Sequence, residues 1–382
     1  MEPPAWLEGH LAAEHRARLP VLGAANAPST QAFDVDRVRR SHADPDYRAE
    51  DASQLMLRKN FAATGSFIED DRPRALDLLG FASQLVFDTF TSSHVLRIER
   101  TDADFAAEVA RGQHRAMLAW CSVDPRLLPV CIIPLGDMTA AVTLTREAID
   151  GGAAALQIGQ YCPPGHSPSH VDLEPMWAMA AEAGVPVVLH VAGAGASVMD
   201  PAYFENGLPP VPDFHGGDGN FKSIDYMSIA LPVMQTLNAL VIDGVLQRHP
   251  QLRIGVIEVG ASWVPSWMRM LDSSHEAFHK NEERLQKMEM KPSEYVRRQI
   301  RATPYPHEDT GWTIDNTGAG VCMFSSDYPH VEGGRNPIGR FDRSMDAAGV
   351  DDDARRRFYW DNFVDLLRPV LERRGLPVTE PA

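Results

Sequence analysis

The sequence predicts an α/β fold in which a parallel sheet is covered by helices. Three observations carry this. From residue 72 to the end, short apolar runs alternate with longer stretches of helical period. The runs are apolar on both faces, as strands packed under helices on each side must be. A chain of 382 residues, 44% hydrophobic and 23% charged, suffices for a large core.

The elements follow in order. Residues 1–70 are the least regular, with polar stretches such as "SHADPDYRAEDASQ", and are expected to drape over the body as loops and short helices. Residues 71–382 form that body. "RPRALDLLG" is helical and stops on Gly80, and "FASQLVFDTF" follows as a β-type run. The helix "DADFAAEVARGQHRAMLAWCSV" precedes the strand "LLPVCIIPL"; the helix "DMTAAVTLTREAIDGG" precedes the strand "AAALQIG". "DLEPMWAMAAEAG" starts at Asp172, stops at Gly184 and leads into "VPVVLH". "IALPVMQTLNALVIDGVLQRHP" reads as a helix, "LRIGVIEVG" as a strand, and "SWVPSWMRMLDSSHEAFHKNEERLQKM" as one long amphipathic helix with Trp263 and Trp267 on one face. "RQIRATP" is a strand, "HEDTGWTIDNTG" a helix, "GVCMFSSD" a strand, and "DDARRRFYWDNFVDLLRPVLERR" the closing helix. Strands thus start near residues 81, 127, 153, 185, 252, 298 and 321, one short of an eight-stranded barrel. The rival is a doubly wound open sheet, but no Gly-rich phosphate turn follows the first strand.

Composition narrows the function classes. A net charge of −16 argues against a nucleic-acid surface, which needs clustered Lys and Arg. Cys121, Cys131, Cys162 and Cys322 are far apart and form no CxxC pair, so a reduced, cytoplasmic compartment is expected. "MEPPAWLEGHL" lacks the features of a signal peptide, and no apolar stretch is long enough to span a bilayer.

In a barrel, chemistry gathers at the carboxyl ends of the strands. "VVLH" places His190 at one tip, "GVIEVG" places Glu258 at a second, and "FSSDYPH" places Asp327 at a third with His330 a turn on. Singly, each has a structural reading: a core histidine bonded to backbone, a paired glutamate, an Asp helix cap. Jointly, ionisable groups at three strand tips need a shared partner, and a divalent metal is the simplest.

The segments "VVLH", "HPQLRIGVIEVGASWVPSWMRMLD" and "FSSDYPHVEGG" together resemble the amidohydrolase-related family 2, which includes aminocarboxymuconate-semialdehyde decarboxylase and γ-resorcylate decarboxylase. The resemblance runs from about residue 72 to the end, and "MEPPAW" fits the segment just after the family's first strand. It implies a distorted (β/α)8 TIM barrel holding a divalent metal, zinc by expectation, and a homodimer. The family's ligands are a His-x-His or Glu-x-His pair on the first strand, a histidine on the fifth and an aspartate on the eighth. The last two carry over to His190 and Asp327.

Two departures shape the expectation. The first strand is missing or truncated: the sequence begins where that strand should have ended, and His10 and His15 lie in a helix-like stretch. Glu258 falls where the family's decarboxylases carry a catalytic histidine, which leaves room for a hydrolase using metal-activated water and a carboxylate base. The fourth strand has Gln157 and no lysine to bridge two metals, so one ion is expected. The sequence therefore predicts a metal-dependent hydrolase acting on a small carbonyl or carboxylated compound. Its metal ligands are His190 and Asp327; its catalytic residues are Asp327, Glu258 and His330. A decarboxylase and a catalytically degenerate binding barrel are the alternatives. His215 reads as a surface residue on a long loop, His249 as structural, and His275, Glu276 and His279 as solvent-exposed.

Overall fold

Short β-branched runs pair into a parallel sheet because helices between them return the chain to the same end. The computed structural model describes residues 2, 6–18, 35–191, 199–209 and 223–379. β1 (Gln84–Val86), β2 (Leu127–Ile132), β3 (Ala155–Ile158), β4 (Val187–His190), β5 (Ile254–Ile257) and β6 (Ile300–Ala302) lie side by side in that order, all parallel. They form a curled half-barrel of six strands. Ala302 bridges Cys322, so the seventh predicted strand is reduced to one bridged residue at the far edge. Every residue of β2, β3, β5 and β6 is buried, which is why these runs carry no polar alternation.

The helices of eight or more residues among those described are α1 (Val35–Ala43), α2 (Arg72–Leu79), α3 (Thr91–Ile98), α4 (Ala103–Cys121), α5 (Met138–Gly151), α6 (Glu174–Ala183), α7 (Leu231–Ile242), α8 (Val264–Phe278), α9 (Pro292–Gln299), α10 (Thr310–Thr317), α11 (Pro337–Ala348) and α12 (Asn362–Arg373). Side-chain caps set their starts: Asp102 accepts from Phe105 N–H (2.9 Å), Asp137 from Ala140 N–H (3.0 Å) and Asn336 from Gly339 N–H (3.0 Å).

Two predicted helices are shorter than the pattern suggests, and a third changes its winding part-way along. The run from Ile229 breaks after Ile242, where Gly244 takes φ 78° and a separate turn, Val245–Arg248, follows. The run from Ser262 stops at Phe278, and a short helix resumes at Glu283. The closing helix contains a π-helical turn, Arg357–Asp361, before α12. Trp267 is 1% exposed and donates to Asn238 Oδ1 (2.7 Å), so this face of α8 serves the core. His249 meets Glu174 (2.8 Å) at the far end of the sheet, a structural contact. All four cysteines are free thiols, and only Cys162 is exposed. No helix among the described residues is long and apolar enough to cross a membrane.

Candidate metal centre

β4, β5 and the 321–330 segment deliver their carboxyl ends to one cavity of about 1240 Å³, lined by His190, Glu258, Asp327, His330 and Glu332 among others. The local backbone aims them. Glu258 has φ 57° and Asp327 φ 51°, left-handed conformations that side chains rarely adopt. Asn60 (φ 52°) is the one other such residue among those described, and its N–H donates to the Pro329 carbonyl (2.9 Å) beside Asp327. Backbone held this way at three neighbouring points is typical of functional sites, where the surroundings over-determine the conformation.

Those surroundings are visible. Glu258 N–H donates to Thr303 Oγ1 (3.0 Å), and Tyr305 O–H donates to the Glu258 carbonyl (2.7 Å), so the end of β6 fixes the tip of β5. Burial foremost, and then the carboxylates of Glu258, Asp327 and Glu332, push the Tyr305 pKa up, which keeps its hydroxyl a donor. Glu308 reinforces the turn by accepting from Ala261 N–H (2.9 Å) and Tyr305 N–H (2.9 Å). On the other side, Gly333 backs onto the Ser326 carbonyl: a Cβ there would stand 2.1 Å from that oxygen. The close approach folds Glu332 back over Asp327.

The result is a trio. Ligand oxygens of Glu258, Asp327 and Glu332 all lie within 4.8 Å of one another. His190 joins through Glu258, with Nε2 3.0 Å from Oε2. Its Nδ1 lies 2.8 Å from the Val191 carbonyl, which can only accept, so Nδ1 carries hydrogen and Nε2 faces the carboxylate. Two atoms that both offer lone pairs approach this closely when a proton or a cation lies between them. Phe87 stacks on the imidazole with ring centroids 4.4 Å apart. Lys59 donates to the Gly334 carbonyl (2.7 Å); burial lowers its pKa, against the pull of Asp327 and Glu332.

The structure thus brings His190, Glu258 and Asp327 to one cavity. His330 lines it as well, its N–H donating to the Asp327 carbonyl (2.7 Å) and tightening the turn. His215 lies outside the described residues. Glu332 escapes the sequence reading, although it stands five residues after Asp327 in "DYPHVEGG". So does Asp88, two residues beyond β1, a buried carboxylate whose pKa burial raises to about 6. Asp88 is satisfied by Ser92 N–H, Ser92 O–H and Gln113 Nε2, each at 2.7 Å, and serves the fold.

A family model described as amidohydrolase matches residues 42–368. The chain belongs to the amidohydrolase family. Several solved structures share its fold. An amidohydrolase from Mycobacterium avium subsp. paratuberculosis is 23% identical, with a TM-score of 0.66 over 78% of this chain and 73% of that one. The 5-carboxyvanillate decarboxylase of Novosphingobium aromaticivorans, in complex with manganese and a nitrobenzoic acid, is 18% identical, with a TM-score of 0.57 over 87% and 92%. A 2,6-dihydroxybenzoate decarboxylase from Rhizobium is 21% identical, with a TM-score of 0.55 over 79% and 88%. At these identities the likeness of this amidohydrolase to them is one of fold. No curated protein sequence matches the chain.

Proposed function

We propose that this amidohydrolase, a distorted (β/α)8 barrel, binds one divalent metal ion at Glu258, Asp327 and Glu332, with His190 alongside, and hydrolyses a small carboxylated or carbonyl compound. The observation that carries this reading is the convergence of three carboxylates within 4.8 Å, two of them on left-handed backbone. Three negative charges so close repel one another unless a cation compensates them. The 3.0 Å contact between His190 and Glu258 suits two donors of a single ion, since adjacent ligands at about 2.1 Å from an octahedral ion stand about 3 Å apart. A set of carboxylates with one imidazole is harder than the site expected from sequence, and suits manganese better than zinc.

A bound divalent ion would supply Lewis acidity to a substrate oxygen. The chain's own residues do the rest. Val191 fixes the His190 tautomer, and Phe87 keeps the ring in place. Glu258 accepts the proton lost by the attacking water, its backbone locked by Thr303 and Tyr305. His330 holds the Asp327 turn through its backbone N–H and lines the cavity beside it. A second reading, decarboxylation, is favoured by the aromatic-acid decarboxylases that share the fold and by the Glu258–His190 pair, which would keep a proton at hand for a carbon.

Reconstitution with manganese followed by elemental analysis and activity panels tests both. The expected result is one equivalent of metal, lost in Asp327→Asn, and turnover of ester, amide or lactone substrates without carbon dioxide. Carbon dioxide released from aromatic acids would replace hydrolysis by the second reading. A protein that takes up no metal overturns both.

A further inference from the structure

The same cavity holds a buried positive charge that no residue of the metal centre uses. Arg72, the first residue of α2, is 4% exposed. Its guanidinium donates to Gln84 Oε1 from Nε (3.1 Å) and Nη2 (2.8 Å), to the Gly65 carbonyl from Nη1 (3.0 Å), and to the Tyr328 carbonyl from Nη2 (3.3 Å). These bonds use four of the five N–H groups and leave one on Nη1. Every acceptor is neutral, and no carboxylate among the described residues pairs with Arg72. Burial lowers its pKa, with Tyr328 and Cys121 acting the other way. Arg301 shows the usual solution in this fold: it too is buried, and Asp365 meets it at 2.6 Å. A guanidinium does not escape burial by losing its proton, so its charge needs an anion.

The surroundings say where that anion goes. Arg72, Gln84 and Tyr328 line the cavity together with Leu76, Phe81, Met117 and Trp120. The guanidinium carbon stands 5.2 Å from the Tyr328 ring and 6.0 Å from the Trp120 ring. Tyr328 follows Asp327 directly in the chain, and both line this cavity. We propose that Arg72 is an anion subsite of this cavity, taking the carboxylate of a small organic acid whose flat apolar body lies against Phe81 and Trp120. The subsite requires no metal, and it goes beyond the reading above by assigning the acid group of the ligand to a protein cation.

The test uses full-length protein in EDTA, where the three carboxylates offer an anion no attraction, so binding reports on Arg72. The probes are 4-bromobenzoate and its neutral analogue 4-bromobenzamide, followed by calorimetry and by tryptophan fluorescence. The acid is expected to bind about tenfold or more tightly than the amide, and Arg72→Met to remove that preference. Because Arg72 also ties residues 65, 84 and 328 together, a crystal soaked with 4-bromobenzoate provides a check on unaltered protein. Bromine signal in the cavity with the carboxylate on Arg72 supports the subsite. Equal affinity for acid and amide, no binding, or bromine elsewhere overturns it. Failure to bind metal removes the hydrolase reading and leaves this one standing; equal binding of acid and amide does the reverse.

Discussion

Glu258 and Asp327 hold φ angles of 57° and 51°, which cost a non-glycine residue about 1–3 kcal/mol each. Strain of this kind should separate stability from activity. In EDTA, where no metal-linked stability is at stake, Glu258→Gly is expected to raise the melting temperature by the equivalent of about 1 kcal/mol, while turnover of the reconstituted protein falls by about 10²-fold or more. Paired melting curves and kcat/KM measurements decide it, and a variant both inactive and destabilised would count against a strained catalytic carboxylate. Glu99 gives a pH signature. Burial, opposed by the Gly136 N–H, raises its pKa from 4.5 to about 7. The folded state thus holds this proton more tightly than the unfolded one. Its contribution to stability is complete below pH 4.5 and is lost as pH rises through 7. Glu99→Gln should match the parent near pH 4 and melt higher near pH 8. His190, Glu258 and Asp327 were legible because each ends an apolar run, where an ionisable group is conspicuous. Glu332 and Arg72 were not. One reaches the site by a loop folding back, the other by a helix start packing under that loop, and neither has a periodicity.

At the scale of elements, the loop from Ser325 to Gly334 is the most sensitive part. Gly333 lies against the Ser326 carbonyl with no room for a methyl group. Gly333→Ala is therefore expected to push Glu332 off Asp327 and weaken manganese binding about tenfold or more, at a stability cost of about 2 kcal/mol. Isothermal titration with manganese and denaturant unfolding measure the two. Unchanged affinity would show that Glu332 is not a ligand. The alternation of strands and helices was readable in order, since buried parallel strands and amphipathic helices differ in period and length. What the pattern could not give were the breaks. Gly244 interrupts a run that is apolar on both sides, and the stop at Phe278 falls in a charged stretch without proline or glycine.

Across the whole molecule, the proposed metal should act as part of the fold, because it would tie β5 to the segment beyond the Cys322 bridge, across β6 at one edge of the sheet. Free metal at a hundred times its Kd stabilises by about 2.7 kcal/mol. EDTA is expected to lower the melting temperature, and manganese to restore it in the parent but not in Asp327→Asn. The sheet order and the shared cavity followed from seven strand-like runs, while the seventh run's reduction to a single bridge depends on contacts no local pattern encodes. The π-helical turn at Arg357–Asp361 places Tyr359 and Trp360, with Phe363 beyond them, on the cavity wall. Such a turn carries one residue more than regular helix needs. Loss of a single codon there would restore the ordinary spiral and rotate the two flanking stretches by about 100° relative to each other. Descent thus has a one-step route to a differently shaped chamber that leaves His190, Glu258, Asp327 and Glu332 untouched.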